Sequence, residues 1–207
     1  MSSSAPVTNA RRRPKGDKRA RTRARLIEAA IELIRADGYE GLTLAAVAAR
    51  AGMTTGAIYG NFQSRTDLLM AVARVSGAPI VPNIRPGMSL REFMLATADA
   101  VIESLPQRRA AMVGTLGFHI EQLTHEELRE RSSSETADIY RRFSIGVGQF
   151  IPAEQLPMPP EQLVPAMHAL VDGLVLHRIL TPELVPDEVI RAAFEALAAG
   201  SPEPTDT

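Results

Sequence analysis

The sequence predicts an all-α protein of about nine helices, with an N-terminal three-helix domain followed by a larger C-terminal helical bundle. Three observations support this fold class. Alanine and leucine dominate while aromatic residues make up 4%, a composition that favours helices over sheets. Apolar residues recur at helical spacing along most of the chain. A segment rich in proline and glycine at residues 76–88 and a proline cluster at residues 152–160 separate these stretches.

The first helix is predicted over residues 20–37. Leu26, Ala30 and Ile34 repeat there at helical spacing and form an apolar stripe suited to packing on a neighbouring helix. Gly38 follows the stripe, and glycine commonly ends a helix because it accepts the left-handed backbone conformation.

Two short helices follow, joined by a tight turn. Thr43 is predicted to cap the first of them, Gly52 to turn the chain, and Thr54 to cap the second. Two capped helices of about seven residues with a glycine between them form a helix-turn-helix motif. The alternative is an ordinary helical pair with a polar outer face.

The second helix of this motif has an outer face suited to nucleic acid. Hydroxyl, amide and glycine positions let base edges and phosphates approach closely. The predicted base or nearby backbone contacts are Thr55, Tyr59 and Asn61, with Gly56 and Gly60 leaving space for the backbone. Thr43 and Thr54 are predicted to position phosphates.

Charge is distributed unevenly along the chain. Residues 1–75 carry 13 Lys and Arg against 6 Asp and Glu, whereas residues 76–207 carry 10 against 18. A basic N-terminal third indicates a domain that binds DNA. Residues 1–19 are predicted to be a disordered basic arm that contacts phosphates. Its predicted contact residues are Arg11, Arg12, Arg13 and Arg19; a solubilising tail is the alternative.

The remaining elements follow from caps and proline positions. A fourth helix, over residues 65–75, completes a DNA-binding domain spanning residues 20–75, and residues 76–88 form a linker. A C-terminal domain is predicted at residues 89–200, followed by a disordered tail at 201–207. Its helices are expected at residues 89–104, 106–123, 125–150, 161–180 and 187–199, with Pro106 opening a new helix.

The stretch from residue 25 to residue 72 resembles the DNA-binding domain of the TetR (tetracycline repressor-like) family of bacterial regulators. This resemblance implies a homodimeric, ligand-responsive regulator, most often a repressor, that binds a palindromic double-stranded DNA operator. It also implies that Arg65 contacts phosphate. Ala57 departs from the hydroxyl residue frequent at its position. The matching residues are Gly38, Thr43, Ala51, Gly52, Gly56, Tyr59, Phe62, Ser64, Arg65, Leu68 and Leu69.

The same resemblance implies a cavity in the C-terminal bundle for a small apolar or amphipathic organic ligand. Mostly apolar walls with a few polar groups suit such a molecule. For each single residue, packing in the core is the alternative role. The candidate lining residues are Phe93, Met112, Phe118, His119, Gln122, Tyr140, Phe143, Met167, His168 and Asp172.

The last two helices carry a wider apolar arc than one contact requires, which favours pairing with a second copy in a four-helix interface. The alternative is an internal helix in a monomer. The predicted interface residues are Leu163, Leu170, Leu174, His177, Ile190 and Phe194.

Other function classes find little support. The chain has no cysteine, and its four histidines include no pair at the i, i+4 spacing of helical metal ligands. We expect no catalytic residues, no metal and no cofactor. No stretch predicts a membrane span or a secretion signal, so a cytoplasmic location is expected. Two regulators of other kinds stay open: an activator with the same DNA contacts, and a regulator controlled by a protein partner without a cavity.

Overall fold

The computed structural model describes the backbone of residues 15–77 and 79–199, with side chains from residue 18 onward. Its regular elements are eight α-helices and one short 3-10 helix, Ala153–Gln155. The all-α prediction is confirmed. The chain divides into two compact units, Met1–Val72 and Ala73–Thr207, so the boundary lies within the fourth helix.

The N-terminal unit contains α1 (Lys15–Asp37), α2 (Leu44–Arg50), α3 (Thr55–Tyr59) and most of α4 (Arg65–Ser76). Its core combines the apolar stripe of α1 with the inward side chains of the other three helices. The buried apolar residues include Leu26, Ala30, Leu33, Leu42, Val47, Ile58, Phe62, Leu68 and Leu69.

α1 begins at Lys15, so the prediction of a disordered arm through residue 19 was wrong for its last five residues. Lysine and arginine are good helix formers. The Arg19 guanidinium also donates to the Gly60 carbonyl, 3.2 Å away, which fixes this part of α1 to the end of α3. Arg11, Arg12 and Arg13 lie outside the described residues, as does the predicted tail.

The C-terminal unit contains α5 (Leu90–Thr124), α6 (Glu126–Phe150), α7 (Pro160–Leu180) and α8 (Asp187–Ala198). Ser89 caps α5 and forms a reciprocal capping box with Glu92. The bonds that the Ser89 backbone and side chain make to the Glu92 carboxylate lower the pKa of Glu92.

α5 is a single helix through Pro106, where two helices were predicted, and the described residues therefore contain eight α-helices instead of about nine. A proline removes one backbone donor from the ladder. Nearby side chains brace this turn: the Ser104 hydroxyl donates to the Val101 carbonyl at 2.7 Å, and Arg108 Nε donates to Ser104 Oγ at 3.0 Å. Packing against α6, α7 and α8 stabilises the parts of α5 before and after Pro106 as one continuous helix.

Three residues predicted at the dimer interface lie instead in the core of their own unit. Leu163, Ile190 and Phe194 are fully buried there with Met94 and Val101. A side chain covered by its own subunit has no surface left for a partner, so these three assignments were wrong. The wide apolar arc of the last two helices is explained in part by intramolecular packing.

α7 is long and apolar enough to cross a membrane, with a mean hydropathy of 1.4 over the relevant window. A single helix of this kind is weak evidence for a membrane span, because core helices of soluble bundles meet the same criterion. Leu163, Val171 and Val175 on one side of α7 pack into the core, while 17% of the window as a whole is buried. Most other apolar side chains of α7 are half-buried against the same core, and its exposed positions include His168, Asp172 and His177.

Candidate functional site

The helix-turn-helix is held by the local bonds that the sequence predicted. Thr43 Oγ1 accepts from the Ala46 amide at 3.1 Å and Thr54 Oγ1 accepts from the Ala57 amide at 3.2 Å. Gly52 has a φ of 63°, and the amides of Gly52 and Met53 donate to the carbonyls that α2 leaves unpaired. This pattern is a Schellman motif. Both predicted caps and the glycine turn are confirmed.

α3 exposes one face and buries the other. Ile58 is fully buried, whereas Thr54, Thr55, Gly56 and Tyr59 are exposed. The Tyr59 side chain is 58% exposed. A short helix anchored on one apolar residue thus presents hydroxyl groups and a phenol ring to solvent. The base and phosphate contacts of these residues stay predictions.

The side chain of Asn61 faces the protein, contrary to its predicted contact with DNA. Its Nδ2 atom donates to the Ala57 carbonyl at 2.8 Å, and its Oδ1 atom is buried without a hydrogen-bond partner among the described residues. The amide therefore completes the end of α3. Because the Asn61 side chain is turned inward and bonded to the end of its own helix, it is not available to DNA in this structure. The Asn61 assignment was therefore wrong.

Arg65 was predicted to contact phosphate, but its guanidinium binds backbone inside the unit. Nε donates to the Leu42 carbonyl at 3.0 Å and Nη2 donates to the Tyr39 carbonyl at 2.7 Å. The side chain is half-buried between α4 and the segment joining α1 to α2. Its observed role is to hold that segment in place, and its contact with phosphate stays a prediction.

Arginines of α1 occupy the carboxyl ends of both helices of the motif. Arg25 Nη2 donates to the Ala51 carbonyl at the end of α2, at 3.1 Å. Arg23 Nη1 donates to the Asn61 carbonyl just beyond α3, at 2.8 Å. The last carbonyls of a helix lack intrahelical donors and carry partial negative charge. A guanidinium therefore stabilises them both by hydrogen bonding and by its positive charge. With Arg19 on Gly60, two arginines fix the end of α3 and one, Arg25, fixes the end of α2.

Sequence reasoning missed this arginine clamp, formed by Arg19, Arg23 and Arg25. A signal was available, since Arg19 and Arg23 are four residues apart and share one face of α1. Their basic character was instead attributed to the arm and its phosphates. The carbonyl partners lie 26 to 41 residues away along the chain, and only the folded unit brings them together.

Arg23 is expected to contribute most to the clamp, because its guanidinium also lies 4.3 Å from the centroid of the Phe62 ring. Replacing Arg23 with alanine should lower the free energy of unfolding of the N-terminal unit by about 2 kcal/mol, the range for a charge-assisted bond plus a cation–π contact. Urea denaturation followed by circular dichroism measures it. Arg35→Ala, on the exposed last turn of α1, is the control; equal stabilities of the two variants would contradict the clamp.

The C-terminal unit contains a cavity of about 220 Å³ beside the end of α4, here called the inner cavity. Ser76 and Gly77 close one side, and α5 and α7 supply the rest. The other lining residues are Arg108, Ala111, Met112, Thr115, Leu116, His119, Asp172, Gly173, Val175 and Leu176. Met112, His119 and Asp172 were predicted to line a pocket, and Arg108 was not.

A second cavity of about 550 Å³, here called the outer cavity, lies between the end of α5 and α6. It is lined by His119, Gln122, Leu123, Arg129, Ser132, Ser133, Thr136, Ala137 and Tyr140. His119, Gln122 and Tyr140 were among the predicted pocket residues. Five of the predicted pocket residues are thus distributed over two separate spaces.

Five predicted pocket residues line neither cavity. Phe93 is buried in the core because it lies on the inner face of α5, and Phe143 is exposed on the outer face of α6. Met167 packs against the core. Phe118 is half-buried and His168 is exposed. Helical spacing placed all five on helices without indicating which face points into a space, and none of the five lines either of the two cavities described.

Polar side chains connect the walls of the two cavities. The Tyr140 hydroxyl and His168 Nδ1 are 2.6 Å apart, and His168 Nε2 lies 3.7 Å from Asp172 Oδ2. Burial raises the pKa of Tyr140, and the negative charge of Asp172 raises it further. Burial also lowers the pKa of Arg108, while Asp172 opposes that shift. The half-buried Arg108 guanidinium in the inner cavity therefore has the Asp172 carboxylate nearby.

Comparison with known families decides the identity of the fold. Residues 26–72 match the family described as "Bacterial regulatory proteins, tetR family". Residues 90–201, more than half of the chain, match "BetI-type transcriptional repressor, C-terminal". The chain belongs to the TetR family. The TetR-family resemblance seen in the helix-turn-helix is confirmed over both units.

Individual TetR-family relatives agree with this assignment. The HTH-type transcriptional regulator TtgR of Pseudomonas putida is 28% identical over 179 residues, covering 79% of this chain and 83% of TtgR. Among solved structures, a transcriptional regulator from Rhodococcus sp. Rha1 has a TM-score of 0.60 at 21% identity, covering 86% and 95% of the two chains. The multidrug binding protein EbrR, complexed with imidazole, has a TM-score of 0.63 at 21% identity, covering 97% and 100%.

The two structural likenesses establish the fold. The family establishes a DNA-binding transcriptional regulator with a helix-turn-helix. Regulators of the TetR family bind DNA operators as homodimers, and they are transcription factors and not enzymes.

Proposed function

We propose that this TetR-family regulator is a homodimeric repressor that a small organic molecule, bound in the inner cavity, releases from its operator. The observation that carries the proposal is the position of that cavity at the end of α4, the helix in which the boundary between the two units falls. A molecule in the cavity contacts Ser76, the last residue of the helix, and Gly77 directly after it. Any preference of the ligand for one arrangement of this helix end shifts the population toward it.

The chemistry of the inner cavity supports a small amphipathic ligand. Most of its wall is apolar, with Met112, Leu116 and Val175 among the contributing side chains. Arg108 and Asp172 add one positive and one negative charge. Its volume of about 220 Å³ lies below the range typical of drug-sized ligands, about 300–1,000 Å³. The imidazole bound by EbrR is a molecule of the small size that this space suits.

An ion pair fastens the last turns of α4 inside the C-terminal unit. The Arg74 guanidinium donates to both carboxylate oxygens of Glu135 on α6, with Nε 3.0 Å from Oε2. Bidentate pairs of this kind fix direction as well as distance. A ligand that shifts α6 therefore has a direct bidentate contact through which to move the end of α4.

The dimer is proposed to form through the uncovered side of α7. Leu170 and Leu174 are half-buried and His177 is exposed, so these three of the six predicted interface residues still have surface for a partner. Leu180 at the end of α7 is 63% exposed. The uncovered parts of the two leucines and the exposed Leu180 are apolar area that a second copy can bury, beside polar side chains such as His177.

DNA binding by α3 predicts an unusual response to a glycine substitution. A Cβ atom added at Gly56 meets Thr54 Oγ1 at 3.9 Å, an ordinary contact, so Gly56→Ala should fold normally and gain up to about 1 kcal/mol of helix stability. The added methyl group should nevertheless keep the backbone away from DNA and lower operator affinity at least about tenfold. The affinity is measured by fluorescence anisotropy on an operator selected from random duplexes by the wild-type protein.

Gly146→Ala is the matched control, because a Cβ there has open space within α6. That variant should gain helix stability and bind DNA as the wild type does. Equal operator affinity for Gly56→Ala and Gly146→Ala would contradict the assignment of α3 as the helix that approaches DNA.

Filling the inner cavity should separate DNA binding from ligand response. In Ala111→Phe the ring occupies ligand space, so the variant should bind the operator but no longer release it when exposed to amphipathic compounds that release the wild type. Val113→Phe, on the exposed side of α5, should retain both properties. Release of Ala111→Phe at wild-type concentrations would rule out the inner cavity as the effector site.

A further inference from the structure

The outer cavity has no part in the function proposed above. It is an open groove of about 550 Å³, and side chains in its wall such as Leu123 and Arg129 are exposed to solvent. Its lining and that of the inner cavity have His119 in common, while the remaining lining residues differ. The two spaces can therefore hold different molecules.

The wall of the outer cavity is rich in hydrogen-bond donors. Ser132, Ser133, Thr136 and Tyr140 supply hydroxyl groups, and Arg129 supplies a guanidinium. The nine lining residues include no aspartate or glutamate. A wall with one positive charge and no carboxylate favours a ligand that carries negative charge.

Arg129 is available to such a ligand at small cost. Its guanidinium pairs with the Glu126 carboxylate one helical turn away, but both side chains are exposed, 56% and 69% respectively. Exposed ion pairs contribute little stability, because water and salt screen them. A carboxylate that approaches from the cavity side can therefore take the place of Glu126.

The rest of the outer-cavity wall can contact the apolar part of an organic ligand. Leu123, Ala137 and the Tyr140 ring give apolar surface. The Tyr140 hydroxyl is held by His168, at 2.6 Å, and Ser132 is buried within the wall. Side chains whose positions are already fixed lose less entropy when a ligand binds.

We propose that the outer cavity is a second binding site, one for an organic acid whose carboxylate pairs with Arg129 and whose body lies against Leu123, Ala137 and Tyr140. The hydroxyl groups of α6 bind polar substituents of the acid. Its occupant differs in charge from the amphipathic molecule of the inner cavity.

Three naphthalene probes of the same shape test the charge preference: 1-naphthoate, 1-naphthamide and 1-naphthylmethylammonium. The chain has no tryptophan, so naphthalene fluorescence is free of overlap with indole. Titrated with the full-length protein, naphthoate should bind at least about tenfold more tightly than the amide, the ratio expected for one charge-assisted bond, and the ammonium compound should bind most weakly.

Variants assign the binding to the outer cavity. Arg129→Gln should weaken naphthoate at least about tenfold and leave naphthamide unchanged, while Arg129→Lys should recover part of the affinity. Arg131→Gln is the matched control, since Arg131 makes a similar exposed pair with Glu127 on the same helix and does not line the cavity. Arg108→Gln tests the inner cavity.

The proposal predicts wild-type naphthoate affinity for Arg131→Gln and Arg108→Gln. Equal affinities for the acid and the amide would overturn it, as would unchanged naphthoate binding by Arg129→Gln. Loss of binding in Arg108→Gln alone would place the acid in the inner cavity and also overturn the proposal. None of these measurements uses DNA, so the result is separate from that of the repressor proposal.

Discussion

Tyr59→Ala is expected to lower operator affinity at least about a hundredfold while leaving the protein folded. The phenol is exposed on α3, so its removal takes little from the core. A lost base contact costs about 1–3 kcal/mol, and a dimer loses one in each half-site. Fluorescence anisotropy on the selected operator, at fixed salt concentration, measures the change.

Tyr59→Phe separates the ring from the hydroxyl group. If the hydroxyl makes the contact, this variant should lose nearly as much affinity as Tyr59→Ala, and if the ring packs against DNA it should bind nearly as well as the wild type. Circular dichroism and sedimentation should be unchanged in both variants. Wild-type operator affinity of Tyr59→Ala would remove α3 from the DNA interface.

Phe194→Ala is expected to lower the free energy of unfolding of the C-terminal unit by about 3–5 kcal/mol, the usual cost of emptying a buried phenylalanine site. Phe194 has 0% exposure and packs in the core with Ile190 and Val101. Urea denaturation at two protein concentrations measures the loss, and its size should be the same at both because the site lies within one subunit.

Leu184→Ala is the control for Phe194→Ala. Leu184 lies between α7 and α8 with 73% of its surface exposed, so this variant should differ from the wild type by less than about 0.5 kcal/mol. A Phe194→Ala protein that kept its stability but sedimented as a monomer would reinstate Phe194 as an interface residue and contradict the described core.

Elements whose causes are local were predictable from the sequence. The caps Thr43 and Thr54 bond to amides three residues ahead, and Gly52 turns the chain because its own backbone accepts a positive φ. Ser89 and Glu92 satisfy each other within one turn. In each case the interacting residues are only a few positions apart, so both partners can be recognised in the sequence.

Residues with distant partners were misassigned. The apolar period of α8 placed Ile190 and Phe194 on one face, but the period does not say whether that face meets its own subunit or a second copy. Arg65 and Asn61 were taken for DNA contacts because arginine and asparagine commonly make them. In the folded unit Arg65 donates to carbonyls 23 and 26 residues away. Asn61 donates to a carbonyl only four residues back, so its bond is local, and nothing in the sequence indicated that its side chain would be buried there.

The sequence by itself determined the helices, their caps, the basic N-terminal third and membership of a DNA-binding family, since these depend on composition, spacing and short-range bonds. The tertiary structure decided which polar groups remain available and which faces of the helices enclose space. The clamp of Arg19, Arg23 and Arg25, and the distribution of predicted pocket residues over an inner and an outer cavity, belong to this second class. The physical reason is that a helix repeats its pattern every 3.6 residues, whereas a partner across the fold has no fixed distance in sequence.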